Sequence, residues 1–127
     1  MTKLSIIYII LFIAQGIFWT AYAKMTNLKQ YNNNAPRDFL NSLTGSAKRS
    51  YWAHLNSNEA LPIFMTVIIC ANISGVSPNT IHLLGAGALI TRIIYGVLYI
   101  KDLASPRSIV WALSYLCKAL LLIACIF

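Results

Sequence analysis

Acidic residues are nearly absent from this chain: Asp38, Glu59 and Asp102 are the only three in 127 residues. Charge of either sign is scarce, at 10% of the sequence, where an ordinary soluble domain carries roughly 25%. That shortage excludes a water-soluble globular fold. Cysteine is also sparse. Cys70, Cys117 and Cys125 all fall inside apolar runs and lack metal-ligand spacing, so they read as small buried hydrophobes and imply no metal site. What is abundant is apolar length: 58% of the residues are hydrophobic. Four runs approach the ~20 residues that cross a hydrocarbon core of ~30 Å.

These runs predict an all-α integral membrane protein, a four-helix bundle in a single domain, with spans at about 4–23, 51–73, 81–100 and 107–126. The first span carries no charge, although Lys3 and the Ala21-Tyr22-Ala23 triplet also fit a secretory leader with a cleavage site. Residues 24–50 form the only long connection, with Lys24, Lys29, Arg37, Lys48 and Arg49 against Asp38 alone. Its stretch from Asp38 to Leu43 suits a short interfacial helix. The formal net charge of +7 is scattered between the spans. It therefore points to membrane topology and anionic lipid and away from nucleic acid. Basic residues crowd the first and third connections and avoid the second. The positive-inside rule then places loops one and three in the cytoplasm and both termini outside.

Polar side chains within a span cost about 2.5–3.5 kcal/mol when charged, so each invites a functional reading. Arg49, Asn56 and Glu59 share one helical stripe of span two, at i, i+7 and i+10. The stripe serves either as a polar clamp between helices or as a grip on an ammonium or guanidinium group. Arg92, Tyr95 and Tyr99 form a second stripe, on span three. Glu59 is the only carboxylate in any span, which predicts a Glu59–Arg92 ion pair. Arg107 and Ser108 open span four; the arginine is either an interfacial anchor or a cation that stabilises a thiolate. Lys118 lies deeper, and its stem can snorkel to the outer interface. These groups, Lys118 aside, converge on the cytoplasmic leaflet, which predicts a polar pocket for an anionic hydrophilic molecule, open toward the cytoplasm and sideways into lipid.

The run Arg49-Ser50-Tyr51-Trp52-Ala53-His54-Leu55-Asn56-Ser57-Asn58-Glu59-Ala60-Leu61-Pro62-Ile63-Phe64 resembles the signature of the MAPEG family, the membrane-associated proteins in eicosanoid and glutathione metabolism. With Asn34-Ala35-Pro36-Arg37 and Leu43-Thr44-Gly45 ahead of it, it is similar to the short bacterial members. A second signature follows in Arg92-Ile93-Ile94-Tyr95-Gly96-Val97-Leu98-Tyr99 and Pro106-Arg107-Ser108-Ile109-Val110-Trp111. The resemblance is detailed over residues 32–111 and extends to the whole chain in span pattern. It implies a homotrimer in a bacterial inner membrane, with glutathione as co-substrate between subunits. Asn56 and Glu59 would hold its peptide part, and Arg92 would support Glu59. Arg49, Tyr95 and Tyr99 would complete the binding site, and Arg107 with Ser108 would stabilise the thiolate. The implied activity is transfer to a hydrophobic small molecule or reduction of a lipid hydroperoxide. Two rival classes share the composition: a non-catalytic relative that binds lipid or a protein partner, and a small exporter working through Glu59.

Overall fold

Each apolar run is helical in the computed structural model, which describes residues 1–127. The elements are α1 (Lys3–Met25), α2 (Pro36–Ser42), α3 (Gly45–Ile73), α4 (Pro78–Ile100) and α5 (Ala104–Ile123), with a single 3₁₀ turn over Leu28–Gln30. Their ends follow local chemistry. The Thr2 hydroxyl accepts the Ser5 N–H at 3.1 Å to start α1, and Ser77 does the same for Thr80 at 3.3 Å ahead of α4. Pro36 and Pro78 occupy first-turn positions, where a missing N–H costs nothing. Helix α3 stops where Gly75, at φ 75°, lets the Val76 N–H reach back to the Ala71 carbonyl at 3.0 Å. Asp102 makes the equivalent reversal after α4 at φ 61°, a conformation that aspartate tolerates better than most side chains.

Three of the helices, α1, α4 and α5, are long and apolar enough to cross a membrane, and α3 does not reach that apolarity. It is the longest element, with 29 residues, and it begins six residues before the expected start at 51. The reason is that hydropathy and helicity part company over Gly45–Glu59. Ser, His and Asn outnumber the strong helix formers among the polar residues there, so packing holds the helix, and several of them turn inward onto α1. The Ser50 hydroxyl donates to the Trp19 carbonyl at 2.6 Å, and a ring nitrogen of His54 lies 2.8 Å from the Gly16 carbonyl. Ser57 bonds back to Ala53 at 2.8 Å and to Gln15 at 3.3 Å. At the far end of the pair the Thr2 N–H meets Asn72 at 3.1 Å, so α1 and α3 run antiparallel with polar ties at both ends. The expected interfacial helix at Asp38–Leu43 is present as α2. Phe39 and Leu40 are buried against Ala23, Leu43 and Ala47.

Helix α4 packs against α1, α3 and α5. The largest core cluster lies among these four helices and includes Phe12 stacked on Phe64 at 4.4 Å. Close approach depends on glycine. Gly87 faces Cys117 Sγ, and Gly85 faces Ile68 and Tyr8, as a small-residue run in a membrane helix should. The tightest point is Gly96, whose notch is filled by the indole of Trp19. A methyl group there would overlap Cε2 and Cζ2 of that ring. Gly96→Ala therefore lowers stability by about 1–3 kcal/mol, read as a fall in the thermal midpoint of the detergent-purified protein. Gly87→Ala, which meets only a sulfur at 3.2 Å, costs less. Equal midpoints for wild type and Gly96→Ala would contradict this packing.

Candidate functional site

The site is organised around Arg92, which is wholly buried at 0% exposure. Its Nη2 donates to the Asn56 backbone carbonyl at 2.8 Å and to Asn56 Oδ1 at 2.7 Å. Its Cζ lies 4.5 Å from the centroid of Tyr95, while Nε and Nη1 have no hydrogen-bond partner. The expected Glu59–Arg92 pair does not form. The only ion pair in the chain joins Arg49 to Asp102, at 3.6 Å. Asn56 precedes Glu59 by one turn on the same stripe and offers two oxygens, so it captures the guanidinium and Glu59 stays exposed on the outer face of α3. The stripe is a polar clamp at Asn56 and an open carboxylate at Glu59.

From Arg92 an aromatic ladder climbs α4. Tyr95 meets Tyr99 edge to face at 5.5 Å, and Arg107 Cζ sits 4.2 Å over the Tyr99 ring from the first turns of α5. Spacings of three and four residues along α4 place these rings one above another, and the two cations face their electron-rich surfaces. Two hollows flank the ladder. One, of about 350 Å³, lies between α3 and α4 and is lined by Trp52, Leu55, Asn56, Glu59 and Tyr99. The other, of about 400 Å³, lies between α4 and α5 and is lined by Tyr95, Arg107, Ser108, Trp111 and Ala112. Tyr99 walls the first and Arg107 the second, so the Tyr99–Arg107 contact stands between them.

Six of the eight residues singled out from sequence line one or other of these hollows: Asn56, Glu59 and Tyr99 the first, Tyr95, Arg107 and Ser108 the second. The Ser108 hydroxyl already donates to the Ala104 carbonyl at 3.1 Å. Arg92 supports both from beneath. Arg49 stands apart. Its Nε donates to the Ile100 carbonyl at 3.1 Å, and it lines a third hollow with Lys48, Trp52 and Asp102. Its present work is to clamp the start of α3 to the end of α4. Trp52 was missed by sequence reasoning, yet it lies four residues before Asn56 and belongs to the same stripe. Trp111 was missed as a lining residue and lies four after Arg107. No three His, Cys, Asp or Glu side chains lie close enough to hold a metal ion.

Lys118 does not reach for the interface. It is buried to 3% exposure, with Nζ 3.7 Å from the centroid of Tyr115 and no hydrogen-bond partner. The interior thus holds two cations, Arg92 and Lys118, and no buried carboxylate. It is an environment biased toward anions.

The Arg92 geometry separates two neighbouring substitutions. Asn56→Ala removes a charge-assisted bond from a buried guanidinium and costs about 1.5–3 kcal/mol. Glu59→Gln alters an exposed group without a partner and shifts stability by less than about 0.5 kcal/mol. Thermal unfolding of both variants in detergent checks the pairing; a larger loss in Glu59→Gln than in Asn56→Ala would reverse it.

Neither a curated protein nor a solved structure matches the chain. The model of the MAPEG family matches residues 3–127, essentially its whole length. With its all-helical fold, its three helices long and apolar enough to cross a membrane, and this match, the chain belongs to the MAPEG family of membrane proteins.

Proposed function

We propose that the protein is a membrane-bound glutathione-dependent transferase or peroxidase whose second substrate is a hydrophobic electrophile or a lipid hydroperoxide. The observation that carries this reading is the placement of the Arg107 guanidinium against Tyr99, between one hollow that presents the Asn56 and Glu59 side chains and one walled by Tyr95, Trp111 and Ala112. A hydrophilic thiol peptide suits the first hollow. Its ammonium group meets the open Glu59 carboxylate, and the Asn56 side chain is at hand for its amides. The sulfur then lies toward Arg107, whose fixed positive charge favours thiolate over thiol. A lipophilic molecule enters the second hollow from the bilayer, along Trp111 and Ala112. In conjugation the thiolate sulfur forms a bond to the electrophilic carbon, and the leaving group or a proton taken from solvent balances the charge. In peroxide reduction the thiolate attacks the outer peroxide oxygen to give the sulfenic acid, the O–O bond breaks, and the departing alkoxide takes a proton from solvent to leave as the alcohol. A second glutathione then displaces water to give the disulfide.

The same reading makes α3 the fourth span of a four-helix bundle. It sets the Arg49 and Arg107 ends of the helices at the cytoplasmic side of a bacterial inner membrane, with both termini outside. Exposed Glu59 is costly in contact with lipid. A homotrimer in which a neighbouring copy covers this face of α3, with glutathione between subunits, removes that cost.

Calorimetric titration of glutathione into the detergent-purified protein tests the proposal. Wild type binds saturably, and Glu59→Gln weakens binding about tenfold, the loss of one charge-assisted contact of about 1.4 kcal/mol. Arg107→Ala lowers turnover with a small electrophile about a hundredfold, as expected when a group that stabilises developing charge is removed. No heat of binding at millimolar glutathione would sink the proposal and leave the hollows to another ligand.

A further inference from the structure

Lys118 has no part in the chemistry above, and an ammonium without a hydrogen bond inside an apolar bundle needs a physical reason. Its surroundings supply one. The Nζ lies 3.7 Å from the centroid of the Tyr115 ring. Tyr115 in turn packs on Trp111, with centroids 4.6 Å apart, and Trp111 lines the hollow beside Arg107 and Ser108. These residues follow one another at spacings of three and four along α5, so they stack up one side of the helix. The opposite wall of the hollow, Tyr95, is backed in the same way by the buried guanidinium of Arg92. Both aromatic walls of the hollow are therefore held, directly or through one more ring, by a buried cation. A cation–π contact of this kind gains strength when it is desolvated, because water no longer competes for the ammonium.

Resting on the proposed assignment of this hollow to the lipophilic substrate, we infer that Lys118 is a positioning residue. Through Tyr115 it fixes the Trp111 side chain and so determines which lipophilic molecules the hollow admits. Without the cation the Tyr115–Trp111 pair is free to rotate toward lipid, since Trp111 is already 42% exposed. The hollow then loses its wall while Arg107 and the glutathione side stay intact.

The test needs a readout that does not depend on turnover. Trp19 is only 4% exposed, whereas Trp52 and Trp111 are 43% and 42% exposed. In a Trp52→Phe background, quenching of fluorescence by brominated phosphatidylcholine in nanodiscs therefore reports mainly on Trp111. Lys118→Met changes that quenching, and Lys118→Arg, which restores a cation over the ring, returns it toward the starting value. In the otherwise wild-type enzyme, Lys118→Met raises the KM for a long-chain unsaturated aldehyde about fivefold, the equivalent of one cation–π contact. The KM for glutathione and the rate with acrylamide, a small and water-soluble electrophile, stay close to wild type. Unchanged Trp111 quenching in Lys118→Met overturns the inference. If wild type transfers no glutathione at all, the proposed function fails, and the quenching comparison still decides the role of Lys118. Should Lys118→Met not fold, Tyr115→Leu replaces it: the same change in quenching is expected, and its absence overturns the inference.

Discussion

A guanidinium buried in an apolar bundle without a carboxylate is the constraint on which the rest of this structure depends. Placing arginine in the middle of a membrane helix costs about 2.5–3.5 kcal/mol, and the chain supplies no acidic partner to offset it. Instead Asn56 contributes two oxygens and Tyr95 a ring face. Bonds to a charged group contribute about 1.5–3 kcal/mol, which is the same size as the cost. The solution fixes α3 against α4 at one height and one rotation. Because it uses an amide rather than a carboxylate, it leaves the positive charge of Arg92 uncancelled.

That choice spreads outward. With Tyr95 held beneath, Tyr99 is held above it and Arg107 is received on the Tyr99 ring. Glu59, relieved of pairing, faces outward beside Asn56, where it can contact a ligand or a neighbouring copy. The uncancelled charge of Arg92 and the guanidinium of Arg107 favour an anion, and the exposed Glu59 carboxylate favours an ammonium group. Glutathione as a thiolate carries both charges. This match of signs, set up by one clamp, underlies the proposed function.

Much of this was legible in the sequence, for identifiable reasons. Long apolar runs give helices. The stripes at Asn56/Glu59 and Arg92/Tyr95/Tyr99 follow from helical periodicity alone, the sequence resemblance was carried by the runs that contain them, and the family model matches residues 3–127. The failures have physical causes too. Counting carboxylates suggested Glu59 for Arg92, because the count ignores amides and backbone carbonyls as partners for a guanidinium. Hydropathy marked the apolar part of α3 but not the helix that precedes it, which runs back through Arg49 and Lys48 to Gly45. Lys118 was expected to reach water. Nothing in a linear sequence reveals that a tyrosine three residues earlier presents its ring to the ammonium. The notch of Gly96 under Trp19 depends likewise on how α1 crosses α4, which no local pattern encodes.

In the proposed function, the clamp at Arg92 and the ladder above it present Arg107 as a fixed cation to a bound thiol. Ultraviolet absorbance of the thiolate, recorded as glutathione is added to the purified protein at neutral pH, tests it most directly. The account predicts a thiolate band that grows with occupancy in the wild type and is lost in Arg107→Ala under conditions where glutathione still binds. A thiol that stays protonated in the wild type, or a band undiminished in the variant, would contradict it.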